Sequence, residues 1–349
     1  QGYRRWLATL GLLMKVGALC AGYGGIELGL SKIVKTELAW VSEIEPNASR
    51  LLQHRYGVPN YGDLTKIGVE DEVLFTESIE PVDIITAGFP CQPFSVAGDR
   101  KGVNDERWLI DDVCRIARIT EAKWLILENV RGILTANSGD AIARVCAAMA
   151  YNGFGRWEWG TLRASDIGAP HKRDRWFCIA TNTNSSGWRK HGRGISVDQE
   201  QSAVKRDSFT TRRDTQLRGA SEQSSGFVAN SDCRTGQEFD FGYGDRRWEE
   251  AGVNWVAGDY PERRSISGSF SKYEQAIKHW EQVIGRRSPQ PSNDFRLNHW
   301  FVEWMMGLPP GWVCGEELGI SRTACLKMLG NGVIPQQAAV AISTLLSRF

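Results

Sequence analysis

The sequence predicts an α/β fold in which a mostly parallel sheet is covered by helices on both faces. Three observations carry this. Short apolar runs of strand length alternate with segments whose apolar residues recur at helical spacing. The first run leads straight into a glycine turn, Gly22-Tyr23-Gly24-Gly25. A later run, residues 82–87, leads into Ala87-Gly88-Phe89-Pro90-Cys91-Gln92-Pro93-Phe94-Ser95. Loops at the carboxyl ends of parallel strands are where open α/β sheets gather ligands and catalytic groups.

Each element follows from its residues. Residues 15–21 read as strand one, 22–25 as a turn and 26–33 as the next helix. Residues 38–42 form strand two, and Pro46, suited to a first helical turn, opens a helix to residue 54. Pro81 precedes the apolar run 82–87, a buried parallel strand that Gly88 ends. The prolines flanking Cys91 exclude helix and central strand, so this is a loop. It is rigid, because each proline fixes its own φ and restricts the residue before it. Residues 105–119 place Leu109, Ile110, Val113, Ile116 and Ala117 at helical spacing behind an acidic first turn. Residues 124–127 make a short buried strand and 141–150 an alanine-rich helix. Residues 160–163 and 176–180 make two strands joined by a turn.

Composition shifts after Thr181. From Asn182 to about residue 269 the chain is rich in Ser, Gly, Arg, Asp and Gln and poor in aliphatics, which alone describes flexible chain. Residues 273–284 read as a short helix, 286–293 as a polar link and 336–346 as the last helix, with Pro335 at its entrance. The aromatic stripe Trp300-Phe301-Val302-Glu303-Trp304-Met305-Met306 reads as core rather than as a stacking platform, since such stripes usually pack.

A chain of 349 residues can bury a large core in one large or two modest domains. The formal charge of +1 does not advertise a nucleic-acid partner, so a positive groove would have to arise from folding. The eight cysteines include no C-x-x-C pair, which argues against a zinc site and against a disulfide framework. No metal is expected, and a reducing, cytoplasmic setting is. No apolar run reaches the roughly 18 residues of a membrane span, so no membrane partner is expected. Arg4-Arg5 precede an apolar stretch, residues 6–14, that lacks a small-residue cleavage site. The expectation is that Met14 is the natural start and residues 1–13 are dispensable.

Chemistry enters with Cys91. A thiol on a rigid loop at a sheet's active edge suggests a nucleophile. Gly22, Gly24 and Gly25 let backbone approach a ligand closely at a strand-to-helix turn. This is not a dinucleotide fingerprint, because Glu27 stands where its third glycine would be. Glu43 ends strand two, where an acid can hydrogen-bond a ribose.

Taken in order, Gly22-Tyr23-Gly24-Gly25, Pro90-Cys91, Glu128-Asn129-Val130 and Gly330-Asn331-Gly332-Val333 resemble the DNA (cytosine-5)-methyltransferase family of bacterial or phage type. The resemblance covers roughly residues 15–175 and 298–349. It implies a Rossmann-like, S-adenosylmethionine-dependent methyltransferase fold. Residues 14–181 and 298–349 would form the catalytic domain, with a small target-recognition domain, 182–297, inserted between. It implies a monomer that methylates carbon 5 of a cytosine in a specific double-stranded DNA sequence, in restriction-modification or phage DNA protection. A stacked base exposes neither face to a thiolate, so the base must flip out.

The resemblance also implies roles. Carbon 5 is too weak a nucleophile by itself, and addition of the Cys91 thiolate to carbon 6 would make it enamine-like. Glu128 matches the glutamate that contacts ring nitrogen 3 and the exocyclic amine, a general-acid role that a raised pKa would favour. In His171-Lys172-Arg173-Asp174-Arg175, Arg173 and Arg175 match two arginines near the base and its phosphate, with Arg175 at the cytosine O2. His171 replaces a glutamine there. The cofactor pocket would draw on Ala21, Gly22, Tyr23, Gly24, Gly25, Ile44, Leu64, Pro90, Leu109, Asn331 and Val333. Glu43 would hold the ribose and Asp63 would lie near the adenine. Cys20 stands where the family usually has a cofactor-packing phenylalanine. The helix after Asn331 is expected beside strand one.

Three rivals stay open. A tRNA cytosine methyltransferase of the same fold would share Gln92-Pro93-Phe94-Ser95, but the long insert favours DNA. An exocyclic-amine methyltransferase would carry Asp/Asn/Ser-Pro-Pro-Tyr/Phe in place of Pro90-Cys91. A catalytically inactive DNA-binding protein would not need Cys91, Glu128, Arg173 and Arg175 together.

Overall fold

Strand β1 (Met14–Leu19) runs into the glycine turn, and helix α1 (Gly25–Ser31) returns the chain to β2 (Thr36–Ser42). Helix α2 (Pro46–Tyr56) follows, with Pro46 in its first turn and Glu45 capping the amide of Ala48. Then come β3 (Ile84–Ala87), α3 (Leu109–Ile119), β4 (Trp124–Val130), α4 (Asp140–Tyr151), β5 (Phe154–Arg163) and β6 (Asp174–Asn182). Beyond residue 272 lie α5 (Glu274–Ile284), a short hairpin of β7 (Ser292–Asn293) with β8 (Arg296–Leu297), α6 (His299–Met305), α7 (Arg322–Asn331) and α8 (Pro335–Leu346). This computed structural model describes residues 12–68, 79–90, 108–182, 273–293 and 296–349. Cys91, the extension over residues 1–11 and most of the insert, 183–272, lie outside the described residues.

The main sheet has the order β2-β1-β3-β4-β6-β5. Strands β1 to β4 pair in parallel, while β6 runs antiparallel to both β4 and β5. The connectors explain the mixture. A parallel neighbour needs a crossover of a dozen or more residues. The β5–β6 link, residues 164–173, holds one short 3₁₀ turn and simply reverses. Because β2 lies on one side of β1 and β3 on the other, the topological switch point falls between β1 and β3, where open α/β sheets bind ligands.

Two apolar layers cover the sheet. Val16, Leu38, Ile84, Trp124, Ile126, Phe177 and Ile179 pack with α1, α2 and α8 on one face. Ile85, Ala87, Leu125, Leu127, Cys178 and Ala180 pack with α3 and α4 on the other. The alternation along β4 is the period-two signature of a strand buried on both faces. Gly17 serves that packing, because a Cβ there would lie 2.3 Å from Trp40 Cζ2. Trp40 is fully buried and donates its indole N–H to the Glu80 carbonyl at 2.9 Å.

The carboxy-terminal segment builds the same core. A Cβ on Gly29 of α1 would lie 2.5 Å from the Pro335 carbonyl oxygen of α8, so the two helices meet backbone to backbone. The aromatic stripe is core: Phe301, Trp304 and Met306 are buried, and the Trp280 indole donates to the Trp304 carbonyl at 3.1 Å.

Several boundaries differ from the sequence reading. Strand β1 stops at Leu19, because Cys20 turns out with φ 50°. Strand β4 runs on to Val130, and β5 begins at Phe154. Helix α7 was not anticipated, since Gly330 and a weak apolar pattern hide it. No described helix is long and apolar enough to cross a membrane.

Candidate active site

The carboxyl ends of β1 to β4 point the same way, so the segments that leave them meet at one edge. From β1 comes the glycine turn. Gly22 and Gly24 have φ 57° and 81°, a region that favours glycine, and Gly24 caps α1. A Cβ at Gly22 would meet nothing within 4 Å, so the outer side of the turn is open. From β2 comes Glu43. Its Oε2 accepts the Gly22 amide at 2.9 Å and its Oε1 the Glu45 amide at 2.8 Å. The next side chain, Ile44, is 75% exposed. Asp63 caps a 3₁₀ turn, accepting the Thr65 amide at 3.0 Å, and Leu64 behind it is buried. Burial, then the carboxylates of Glu43 and Asp63, push the Cys20 thiol up to about 12, which puts both acids near the end of β1.

An open glycine turn flanked by a carboxylate and an exposed aliphatic side chain suits a nucleoside. The acid can accept from ribose hydroxyls and Ile44 can cover a ring. The residues present therefore fit S-adenosylmethionine. Among the described residues no cluster of three His, Cys, Asp or Glu could hold a metal ion.

From β3 comes the loop that leads to Cys91. It is described as far as Pro90, which is exposed at the sheet edge. Two contacts fix its exit. Asn129 Nδ2 donates to the Phe89 carbonyl at 2.8 Å, fully buried. Gly88 passes so close to β4 that a Cβ there would lie 3.3 Å from Glu128 Oε2. The backbone three residues before the thiol thus runs against the Glu128 carboxyl.

Glu128 is buried at the end of β4, on the same face as Trp124 and Ile126. Register explains its partner. Glu128 pairs with Phe177 and Val130 with Arg175, so Arg175 and Phe177 share the face that Glu128 occupies. Arg175 Nε lies 2.9 Å from Glu128 Oε1, a charge contact rather than a well-aligned hydrogen bond. Burial pushes the Glu128 carboxyl up to about 7, opposed by the charges of Arg175 and Arg173. Near neutral pH this acid is held between its two protonation states, as a proton donor to a ring nitrogen requires.

Not every expected residue faces the opening. The Tyr23 ring is fully buried and its hydroxyl donates to the Val333 carbonyl at 2.7 Å, which leaves its backbone for a cofactor. Arg173, with φ 27°, spends its guanidinium on the carbonyls of Gly330, at 2.9 Å, and Gly332. Burial holds its pKa below the usual arginine value. Asn331 ends α7, exposed, and Val333 is buried. Leu109 opens α3, half-buried on the α3–α4 face. Ala21 is half-buried in the turn. His171 Nε2 lies 3.2 Å from the Met305 carbonyl, and burial lowers its pKa, so the ring stays neutral and donates.

Sequence reasoning missed three residues that hold this edge together. Asn129 pins the exit of β3 at Phe89. The Trp312 indole donates to the Tyr23 carbonyl at 2.8 Å. Gln337, fully buried, donates to the carbonyls of Leu162 at 2.7 Å and Arg173 at 2.9 Å. Asn129 sat inside a motif and could have been found. The other two lie 164 to 289 positions from what they hold.

Comparison with known proteins agrees with this geometry. The family model for C-5 cytosine-specific DNA methylase matches residues 14–346. The Type II methyltransferase M.BsuFI of Bacillus subtilis is 35% identical over 45% of this chain and 36% of its own length. The Type II methyltransferase M.CviJI of Paramecium bursaria Chlorella virus IL3A is 38% identical over 46% of this chain and 41% of its own. The match thus spans less than half the length of these two relatives. A putative DNA modification methyltransferase encoded within an E. coli prophage superposes with a TM-score of 0.54. That superposition covers 96% of this chain and 99% of that one at 16% identity, a likeness of fold. With an open glycine turn, a strand exit pinned beside a buried acid and a family match over nearly its whole length, the chain belongs to the C-5 cytosine-specific DNA methylase family.

Proposed function

We propose that this protein methylates carbon 5 of cytosine in double-stranded DNA, with S-adenosylmethionine as methyl donor. The observation that carries the reading is Glu128, held up to about 7 by burial, paired with Arg175 and set against the backbone that delivers Cys91. The Cys91 thiolate adds to carbon 6 of a flipped-out cytosine. Glu128 donates a hydrogen bond or proton to ring nitrogen 3, which takes up the electron pair displaced by addition and leaves a neutral ring whose carbon 5 is enamine-like. When bound, S-adenosylmethionine supplies an electrophilic methyl group. Once carbon 5 carries the methyl group, its proton passes to a solvent base, the freed electron pair re-forms the C5–C6 double bond, and the Cys91 thiolate leaves carbon 6. Arg175 holds the Glu128 carboxyl in place and contacts the base at O2. Arg173 holds the 330–332 turn that closes the cofactor end.

The finer reading assigns target choice to residues 182–297, whose polar composition suits base and phosphate contacts. It places the enzyme in the cytoplasm as a monomer, in restriction-modification or phage DNA protection, as the names of its Type II relatives suggest. Bisulfite sequencing of host DNA after expression tests the activity and reads the target together. Methylcytosine at one recurring sequence is expected with the wild type and none with Cys91→Ser. Adducts on DNA containing 5-fluorocytosine should form with the wild type. Unmethylated host DNA and no adduct would overturn the reading.

A further inference from the structure

Glu27 is a carboxylate that the proposed mechanism does not use. It stands in the third position of α1, directly behind the glycine turn, and is 8% exposed. Its Oε1 accepts the hydroxyl of Thr86 at 2.5 Å. Thr86 is fully buried in β3, the strand that leads to Cys91. The neighbouring Ile26 reinforces the contact, since its Cδ1 lies 3.7 Å from where a Gly88 Cβ would stand. Residues 26 and 27 of the cofactor helix thus rest on residues 88 and 86 of the nucleophile strand, across the switch point. Glu27 Oε2 has no hydrogen-bond partner among the described residues. Beside it lies a cavity of about 10 Å³ lined by Glu27, Ser31, Thr36 and Tyr56, about the room one water needs.

We propose that Glu27 is a positioning residue for methyl transfer, which through Thr86 sets the cofactor turn at a fixed distance from the strand carrying the nucleophile. The proposal rests on the methyltransferase reading above. Methyl transfer asks two separately bound groups to meet within a fraction of an ångström; the β1–β3 ladder fixes the strand side of the turn, while its helix side, α1, otherwise meets the β3 exit through apolar contact such as Ile26. A buried hydrogen bond between them is directional and is not exchanged for one to solvent. Burial pushes the Glu27 carboxyl up, and its Oε1 accepts from the Thr86 hydroxyl. A glutamine can do the same, and its amide can reach the same small cavity. An alanine can do neither.

The test compares Glu27→Gln, Glu27→Ala, Thr86→Val and the double variant Glu27→Ala/Thr86→Val with the wild type, all corrected for folded fraction. Losing one buried bond should raise KM for S-adenosylmethionine roughly five- to tenfold in Glu27→Ala and in Thr86→Val. KM for DNA should stay unchanged, and Glu27→Gln should remain within about twofold of the wild type on the same scale. The double variant should be no worse than Glu27→Ala, because both changes break one bond. Without cofactor, amide exchange at residues 22–25 should quicken in Glu27→Ala and not in Glu27→Gln. If Glu27→Ala does not fold, Thr86→Val, close to isosteric, decides by the same KM shift. An unchanged cofactor KM, a glutamine variant as impaired as alanine, or losses that multiply in the double would overturn the proposal. A wild type that transfers no methyl group would instead overturn the functional reading, and this proposal with it.

Discussion

The hydroxyl of Tyr23 donates to the carbonyl of Val333 at 2.7 Å, joining residues 310 positions apart in the chain. The bond is buried, and Trp312 grips the Tyr23 carbonyl from the other side. The turn proposed to cradle the cofactor is therefore shaped by the last fifty residues. Removing one such bond should cost about 1 kcal/mol. Tyr23→Phe is expected to lower the melting temperature by a few degrees and to weaken S-adenosylmethionine binding several-fold. Gly332→Ala should do more, because its Cβ would fall 1.9 Å from Tyr23 Cε1. Thermal melts and calorimetric titration check the order.

Glu128 gives the protein a pH signature. Its folded pKa, about 7, lies above its ordinary value of 4.5, so the folded state holds the proton longer than the unfolded one. Stability from this group is complete below about 4.5 and is lost as pH rises through 7, at up to ~1.4 kcal/mol per pH unit. Glu303, also pushed up to about 7 by burial, adds to the same slope. In Glu128→Gln the decline of stability between pH 5 and 8 should flatten, and single-turnover methylation should fall far more than DNA affinity. Denaturant titrations at several pH values read the first, and rapid quench the second.

Asn129 should matter more for chemistry than for binding. Its amide holds the Phe89 carbonyl two residues before Cys91. Asn129→Ala frees that exit and leaves a buried carbonyl without its partner. Adduct formation with 5-fluorocytosine DNA is expected to slow about ten- to a hundredfold, the scale of a small misplacement of a reacting atom. Cofactor affinity should stay close to wild type. Equal losses in both would show that Asn129 supports the sheet in general.

Arg175→Ala removes the charge opposite a buried acid. The Glu128 pKa should climb further, since Arg175 is the largest influence that lowers it. The pH above which activity falls should move upward, while the maximum rate drops with loss of the contact proposed between Arg175 and the base. A pH–rate profile separates the two effects. An unshifted profile would place the pair apart during turnover.

Exchanging residues 182–297 for the matching part of a relative should transfer the methylated sequence and leave the product, 5-methylcytosine, unchanged. Bisulfite sequencing reads both. A folded, active hybrid that keeps the original target would place recognition elsewhere.

Much of the active edge was legible because its signals are local. A glycine turn and an acid at a strand end each announce their conformation within a few residues, whereas Cys91 and Pro93 lie outside the described residues. What the sequence hid was direction and distance. Nothing in Tyr23 says that its ring turns inward, because that depends on Gly332 leaving room for it. Nothing in Arg173 says that a positive φ aims it at the carbonyls of a distant turn. Trp312 and Gln337 carried no motif, since their partners are backbone atoms of other elements. Strand β5 was seen only at its carboxyl end and β6 only at its apolar centre, because Gly155 and Arg156 are exposed and Asp174, Arg175, Thr181 and Asn182 are polar.

The reversal of β6 has a consequence for how this site tolerates change. In an antiparallel neighbour the first residues of one strand lie beside the last residues of the other, which is how Arg175 reaches Glu128. The pairing is thus a matter of parity. One residue inserted in β6 between Arg175 and Phe177 would rotate the arginine to the α3–α4 side and strand a buried acid without its counter-charge. The same insertion in the 164–173 link would leave the match intact. Length variation among relatives of this chain should therefore crowd into that link and spare the nine residues of β6.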